Sequence, residues 1–191
     1  MQRGEHRERA ILGAALELLA EVGYEALTMD AVAARARASK ATIYRRWRNK
    51  AELVKAALDS LDAEDNAAIP DTGALRSDLV AVMTALRDKA TEPYVNLIQE
   101  LVVAARRDEA LAAALRSHRE DLELSPFEAA LRRATRRGDV PRTVDRELVH
   151  DVAEAMILRQ LHTGSPFDDA FISRVVDRVL LPLLRRRRSH R

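Results

Sequence analysis

TMDAVAARARASKATIYRRWRNK, residues 28–50, is the stretch on which the reading of the whole chain turns. Thr28 precedes an Ala-rich segment and can cap it by accepting a backbone N–H bond, and Ser39 can do the same for the segment that follows. Only Arg37, Ala38 and Ser39 separate the two. Helices joined so tightly must cross at a steep angle, which is helix-turn-helix geometry.

Charge indicates what the second helix is for. From Arg35 to Lys50 there are seven cationic residues, Arg35, Arg37, Lys40, Arg45, Arg46, Arg48 and Lys50, and no Asp or Glu. A run unopposed in sequence suits a phosphate backbone. The competing reading is a solvated basic face. Against it, Lys40, Ala41, Thr42 and Tyr44 occupy the start of a helix, where small, hydroxyl and aromatic side chains can enter a major groove and reach base edges.

These residues resemble the DNA-binding domain of the tetracycline-repressor (TetR) family. Residues 39–44, SKATIY, match the family's recognition helix, and residues 49–53, NKAEL, match the start of its following helix. The likeness runs from about Arg9 to Leu58. It implies an all-α homodimer that binds double-stranded DNA at a palindromic operator and responds to a small-molecule effector. In the family the matching Tyr and Lys contact phosphates, a role carried here to Tyr44 and Lys50. Thr28, Tyr44 and Lys50 are thus expected to position the domain on phosphates. Lys40, Ala41 and Thr42, from a helix capped by Ser39, are expected to read base edges, with Arg45 and Arg46 making either kind of contact. One departure is Arg37, where the family usually has Gly; another is Ala38, where it has Val or a similar residue. If the turn requires a positive φ at Arg37, the non-glycine residue costs about 1 kcal/mol.

Composition agrees with helices. Of 191 residues 47% are apolar but only 4% aromatic, with Ala and Leu dominant, a mixture that favours an all-α fold. No stretch approaches the roughly 20 apolar residues of a membrane span, and the N-terminus is polar, so a cytoplasmic protein is expected. The absence of cysteine excludes disulfides, Cys-ligated zinc and thiol catalysis. Residues 1–50 hold ten Lys/Arg against six Asp/Glu, while the remainder holds 22 against 24, so the positive charge is concentrated where the helix-turn-helix lies.

A first helix is predicted over residues 5–22, with Ile11, Ala15, Leu18, Leu19 and Val22 at helical spacing and Gly23 as a left-handed cap. Its stripe should pack on Leu27, Val32, Ile43 and Trp47. Asn49 with Glu52 forms a capping box for a helix over 50–61. The acidic, turn-rich segment 62–73 marks a boundary between a DNA-binding domain, 1–61, and a regulatory and dimerisation domain, 62–191. Further helices are predicted over 75–91, 94–107, 108–137 with a Ser125-Pro126 step that should kink or restart it, 145–162 and 168–184.

The last two are apolar over more than one face. The surplus wants a partner, and pairs of such helices from two subunits form a four-helix interface through Val152, Met156, Ile172, Val176, Val179 and Leu183. Complete burial inside one chain is the competing reading. A ligand pocket in the second domain has Met83, Tyr94, Leu97, Leu101, His118, Leu122 and Phe127 as candidate lining, against ordinary core as the alternative. The five histidines lack metal-ligand spacing and no glycine-rich phosphate loop occurs, so neither an enzyme, a metal nor a cofactor is expected. Arg3, Arg7 and Arg9, and the basic tail 185–191, are either phosphate contacts or solvated ends. The functional expectation is a TetR-family transcriptional regulator, a repressor released from its operator by an apolar or amphipathic ligand; the alternative is a DNA-tethered protein-interaction scaffold without a ligand.

Overall fold

Short polar side chains begin most of the helices. The computed structural model describes residues 2–67, 70–121, 123 and 125–184, without the side chains of Gln2, Arg3 and Ala67. Leu122 and the tail 185–191 thus lie outside the described residues. Helices follow one another as α1 (Gln2–Ala26), α2 (Met29–Arg35), α3 (Lys40–Tyr44), α4 (Lys50–Ala67), α5 (Leu75–Lys89), α6 (Glu92–Ala104), α7 (Glu109–Glu120), α8 (Pro126–Arg137), α9 (Arg146–His162), α10 (Asp169–Val175), a π-helical turn (Val176–Leu180) and α11 (Leu181–Leu184). No strand occurs among the described residues, and the fold is all-α. Thr28, Ser39, Asp108, Ser125, Asp145 and Asp168 each accept a backbone N–H bond at the start of a helix, satisfying a donor that the helix itself leaves unpaired.

The segment 108–137 does restart at the Ser125-Pro126 step, where Ser125 caps α8 and Pro126 opens it. Other ends differ from expectation. Helix α4 continues past Leu61 to Ala67. Gly23 has φ 74 and ψ 172, so it interrupts α1 in a conformation open to glycine rather than forming a left-handed cap. Arg37 has φ 50, the positive angle anticipated for the turn. The N–H of Ala38 donates to Ala33 O at 2.9 Å and that of Arg37 to Ala34 O at 3.2 Å, closing α2 in a Schellman motif.

Two compact units are distinguished by their internal contacts, Met1–Glu64 with Glu92–Asp121, and Asp65–Thr91 with Leu122–Arg191. The packing division is therefore not the 61/62 division of the sequence, since α6 and α7 group with the N-terminal helices. In the first unit Ile11, Ala15, Leu18 and Leu19 share a core with Leu27, Val32, Ile43 and Trp47, as their spacing predicted, and Leu53, Leu97, Leu101 and Leu111 complete it. Val22 departs from that stripe and is 50% exposed, because Gly23 ends the regular helix beside it.

The core of the second unit takes in Met83, Phe127, Leu131, Val149, Ile157, Phe171, Ile172, Val176 and Leu180. Ile172 and Val176, expected at a subunit interface, are thus buried within their own protomer: helical spacing reports burial without saying against what. Val152, Met156 and Val179 are half-buried, and Leu183 is exposed, as is Leu148. Asp78 is wholly buried and accepts from Thr72 N at 2.8 Å, Thr72 Oγ1 at 2.6 Å and Arg137 at 2.7 Å. Burial favours its neutral form, but these bonds outweigh that and hold the carboxyl below its ordinary range.

Gly23→Ala tests the α1 interruption. A Cβ at Gly23 meets the Glu100 carboxylate, which can swing aside, but the backbone angles remain hostile to alanine. The variant is expected to unfold about 1–3 kcal/mol more easily in denaturant titration; unchanged stability would show that α1 relaxes freely there.

Candidate nucleic-acid interface

Helix α3 is only five residues long, and one side of it holds it down. Ile43 is 0% and Trp47 6% exposed, and the turn continues through Trp47 N to Ile43 O at 3.0 Å. Trp47 is a core anchor, not a base contact. Ser39 Oγ accepts from Thr42 N at 3.2 Å and lies 2.8 Å from Thr42 Oγ1. With Ile43 and Trp47 turned inward, Lys40, Ala41, Tyr44 and Arg45 are exposed, Tyr44 to 52%, while Thr42 is half-buried. Thr28 caps α2 through Ala31 N at 3.1 Å and remains exposed.

The basic run is opposed in space although not in sequence. Arg35 reaches back to α1, with Glu21 held by two bonds of 2.9 and 2.7 Å and Glu17 at 3.3 Å. Lys40 pairs with Asp30 of α2, and Arg46 with Glu8 of α1. Arg37, Arg45 and Arg48 have no side-chain ion pair among the described residues. The run thus divides into cations that brace the framework and cations free to meet a polyanion.

The Lys50 ammonium is engaged within the protomer. It donates to Tyr24 O at 2.9 Å and Glu25 O at 3.4 Å and lies 4.2 Å from the centroid of the Tyr24 ring, so it caps the end of α1. Tyr24 is buried and donates to Asp108 Oδ2 at 2.8 Å; burial and then that bond keep its phenol well above the usual range. Asp108 in turn caps α7 through Leu111 N at 2.9 Å. Lys50, Tyr24 and Asp108 tie the start of α4 to the end of α1 and the start of α7. The α4 capping box exists in altered form: Asn49 Oδ1 accepts from Glu52 N at 2.9 Å, but Glu52 returns to Arg48 N at 2.8 Å.

A capped second helix, its apolar side buried and basic and aromatic side chains outward, is the geometry of a major-groove reader. Residues 11–57 match the family described as bacterial regulatory proteins, tetR family, and residues 69–179 match the tetracyclin repressor-like C-terminal domain. The chain belongs to the TetR family of transcriptional regulators. It is 54% identical over 183 residues to the DNA-binding transcriptional repressor TetR of Mycobacteroides abscessus, spanning 96% of each chain. It is 31% identical to the HTH-type transcriptional regulator AqdR of Rhodococcus erythropolis, over 77% of this chain and 70% of that one. The crystal structure of the TetR family transcription regulator SCO0332 superposes with a TM-score of 0.71 at 33% identity, covering 89% of this chain and 94% of that one.

For this TetR-family chain the expected ligand residues divide between the units. Tyr94, Leu97, Leu101 and His118 belong to the first, and Met83 and Phe127 to the second, where both are core. A shallow hollow of about 360 Å³ in the first unit is lined by Ala20, Glu92, Pro93, Asn96, Leu97 and Glu100; of the candidates it includes Leu97 alone. His118, the polar candidate, is already engaged: its Nδ1 lies 2.6 Å from Asp59 and its Nε2 3.3 Å from Asp62, both on α4. Neither acid is near it in sequence, so only the fold could reveal the clasp. Burial opposes its charge, but the two carboxylates outweigh burial and push its pKa up to about 9. Among the described residues no helix is long and apolar enough to cross a membrane.

The clasp has a pH signature. A histidine whose pKa rises from 6.5 unfolded to about 9 folded stabilises fully below the first value and loses that contribution as pH climbs through the second; the shift corresponds to at most about 3 kcal/mol. Unfolding titrations of the wild type and His118→Gln are expected to show a stability gap at pH 6 that narrows toward pH 10. A constant gap would mean that the imidazole contributes by packing alone.

Proposed function

We propose that this TetR-family regulator is a homodimeric repressor that occupies a palindromic operator and leaves it when a small apolar or amphipathic ligand binds. The observation that carries the reading is the outward face of α3, with Lys40, Ala41, Tyr44 and Arg45 exposed above the buried Ile43 and Trp47. Repression is supported by the 54%-identical relative named as a DNA-binding transcriptional repressor. Lys40, Ala41 and Thr42 read base edges; Thr28, Tyr44 and Lys50 hold phosphates; Ser39 sets the helix start; Arg45 serves either purpose, and Arg46 does so after releasing Glu8. In the dimer, two recognition helices about 34–36 Å apart, or somewhat more, meet successive major grooves.

Exposed Leu148 and Leu183, with the half-buried Val152, Met156 and Val179, supply apolar surface suited to a second copy. Ligand release requires only that the effector bind better to the dimer that does not fit DNA. A DNA-tethered interaction scaffold is the second reading, favoured by Met83 and Phe127, which are 0% and 2% exposed within a packed core.

Selection of bound duplexes from a random pool tests the main reading: a palindromic winner is expected, bound more weakly as salt rises. Its absence, with binding to every duplex alike, would remove sequence recognition. On the winning duplex Lys40→Ala is expected to cost about 1–3 kcal/mol and relax preference at one base position, whereas equal losses on random DNA would make Lys40 a phosphate contact. A compound that releases the operator supports the repressor; one that raises the melting temperature yet leaves DNA bound supports the scaffold.

The dimer is tested separately. Leu148→Arg spares the protomer core and is expected to give monomers in light scattering together with weaker operator binding. An unchanged dimer would place the interface elsewhere.

A further inference from the structure

Arg37 is the one described residue other than glycine with a positive φ, at 50°. The same chain shows what that position ordinarily holds. Helix α8 ends with the same pair of bonds, Asp139 N to Ala134 O at 2.9 Å and Gly138 N to Thr135 O at 3.2 Å, and there the left-handed residue is Gly138 with φ 86. An arginine in that conformation is strained. The backbone bonds of the motif are the same with glycine, and the arginine side chain adds no compensating contact: Arg37 is exposed and has neither an ion pair nor a side-chain hydrogen bond among the described residues.

Its surroundings supply a reason. Arg37 lines a cleft of about 800 Å³ together with Gly4 and Arg7 of α1, Thr42 of the recognition helix, and Arg45 and Arg46. Arg46 is drawn toward α1 by Glu8, whereas Arg7, Arg37 and Arg45 have no ion pair among the described residues. Cations that line one cleft without an ion pair give it a positive field that suits an anion. Thr42 and Arg45 are also on the element that faces DNA, so the cleft opens beside the groove-reading surface.

We infer that this cleft seats a backbone phosphate of the bound duplex, and that Arg37, held in strain at the helix-turn-helix turn, is its principal contact, with Arg7 reaching the same strand from α1. The inference rests on the DNA-reading role of α3 proposed above. Phosphate contacts add affinity and set register without reading bases. Arg37 therefore strengthens every duplex alike.

The decisive variant is Arg37→Gly, because strain and charge pull its two readouts apart. Its melting temperature is expected to equal or exceed that of the wild type. Its affinity for the selected duplex should fall about three- to tenfold at moderate salt, and the slope of log affinity against log salt should decrease by about one. The duplex chosen from a random pool should not change. Arg37→Asn, which also tolerates the left-handed conformation, should reproduce the loss, and Arg7→Ala should show a similar one. Wild-type affinity and salt slope in Arg37→Gly would overturn the inference while leaving the DNA-reading role intact, and so would a change in the selected sequence. If the wild type itself binds no duplex, that role fails and the inference with it.

Discussion

A helix of five residues does not persist in water on its own, and α3 is that short. It persists because Ile43 and Trp47 are buried against α1 and α2 residues such as Ile11, Leu19 and Val32, and because Ser39 satisfies its first free donor. The recognition surface therefore depends on the core of the first unit. Every outward residue, from Lys40 to Arg45, is aimed by what Ile43 and Trp47 do beneath it.

Charge then acts on two levels. Arg35, Arg46 and Lys50 join segments far apart in the chain through Glu21, Glu8 and the carbonyls of Tyr24 and Glu25. These contacts set the attitude of the helix-turn-helix on the rest of its unit. Arg37, Arg45 and Arg48 have no side-chain ion pair among the described residues. Exposed pairs such as Lys40 with Asp30 contribute little to stability and are readily exchanged for a base or a phosphate.

The second unit shows how one pattern serves two ends. Val176 and Leu183 recur at the spacing of a buried stripe, yet the first is 0% and the second 39% exposed. The π-helical turn at Val176–Leu180 shifts the register midway along that stripe, so residues before and after it follow different periodicities. Spacing alone could not separate core from candidate interface here. Nor could it place His118, whose partners Asp59 and Asp62 lie on α4 and hold it in a clasp between helices.

Much of this protein was nonetheless determined locally. Caps at Thr28, Ser39 and Ser125, the apolar positions of α1, the turn at Arg37 and the motif at 39–44 follow from interactions spanning a few residues, which sequence records directly. Those sufficed for the all-α fold, the helix-turn-helix and the family. Tertiary structure alone decided which cations are neutralised, that Lys50 caps the end of α1, that α6 and α7 group with the N-terminal helices, and that Ile172 and Val176 are core. Each of these depends on groups brought together across tens of residues, and side-chain pairing at that range leaves no periodicity in the chain to read.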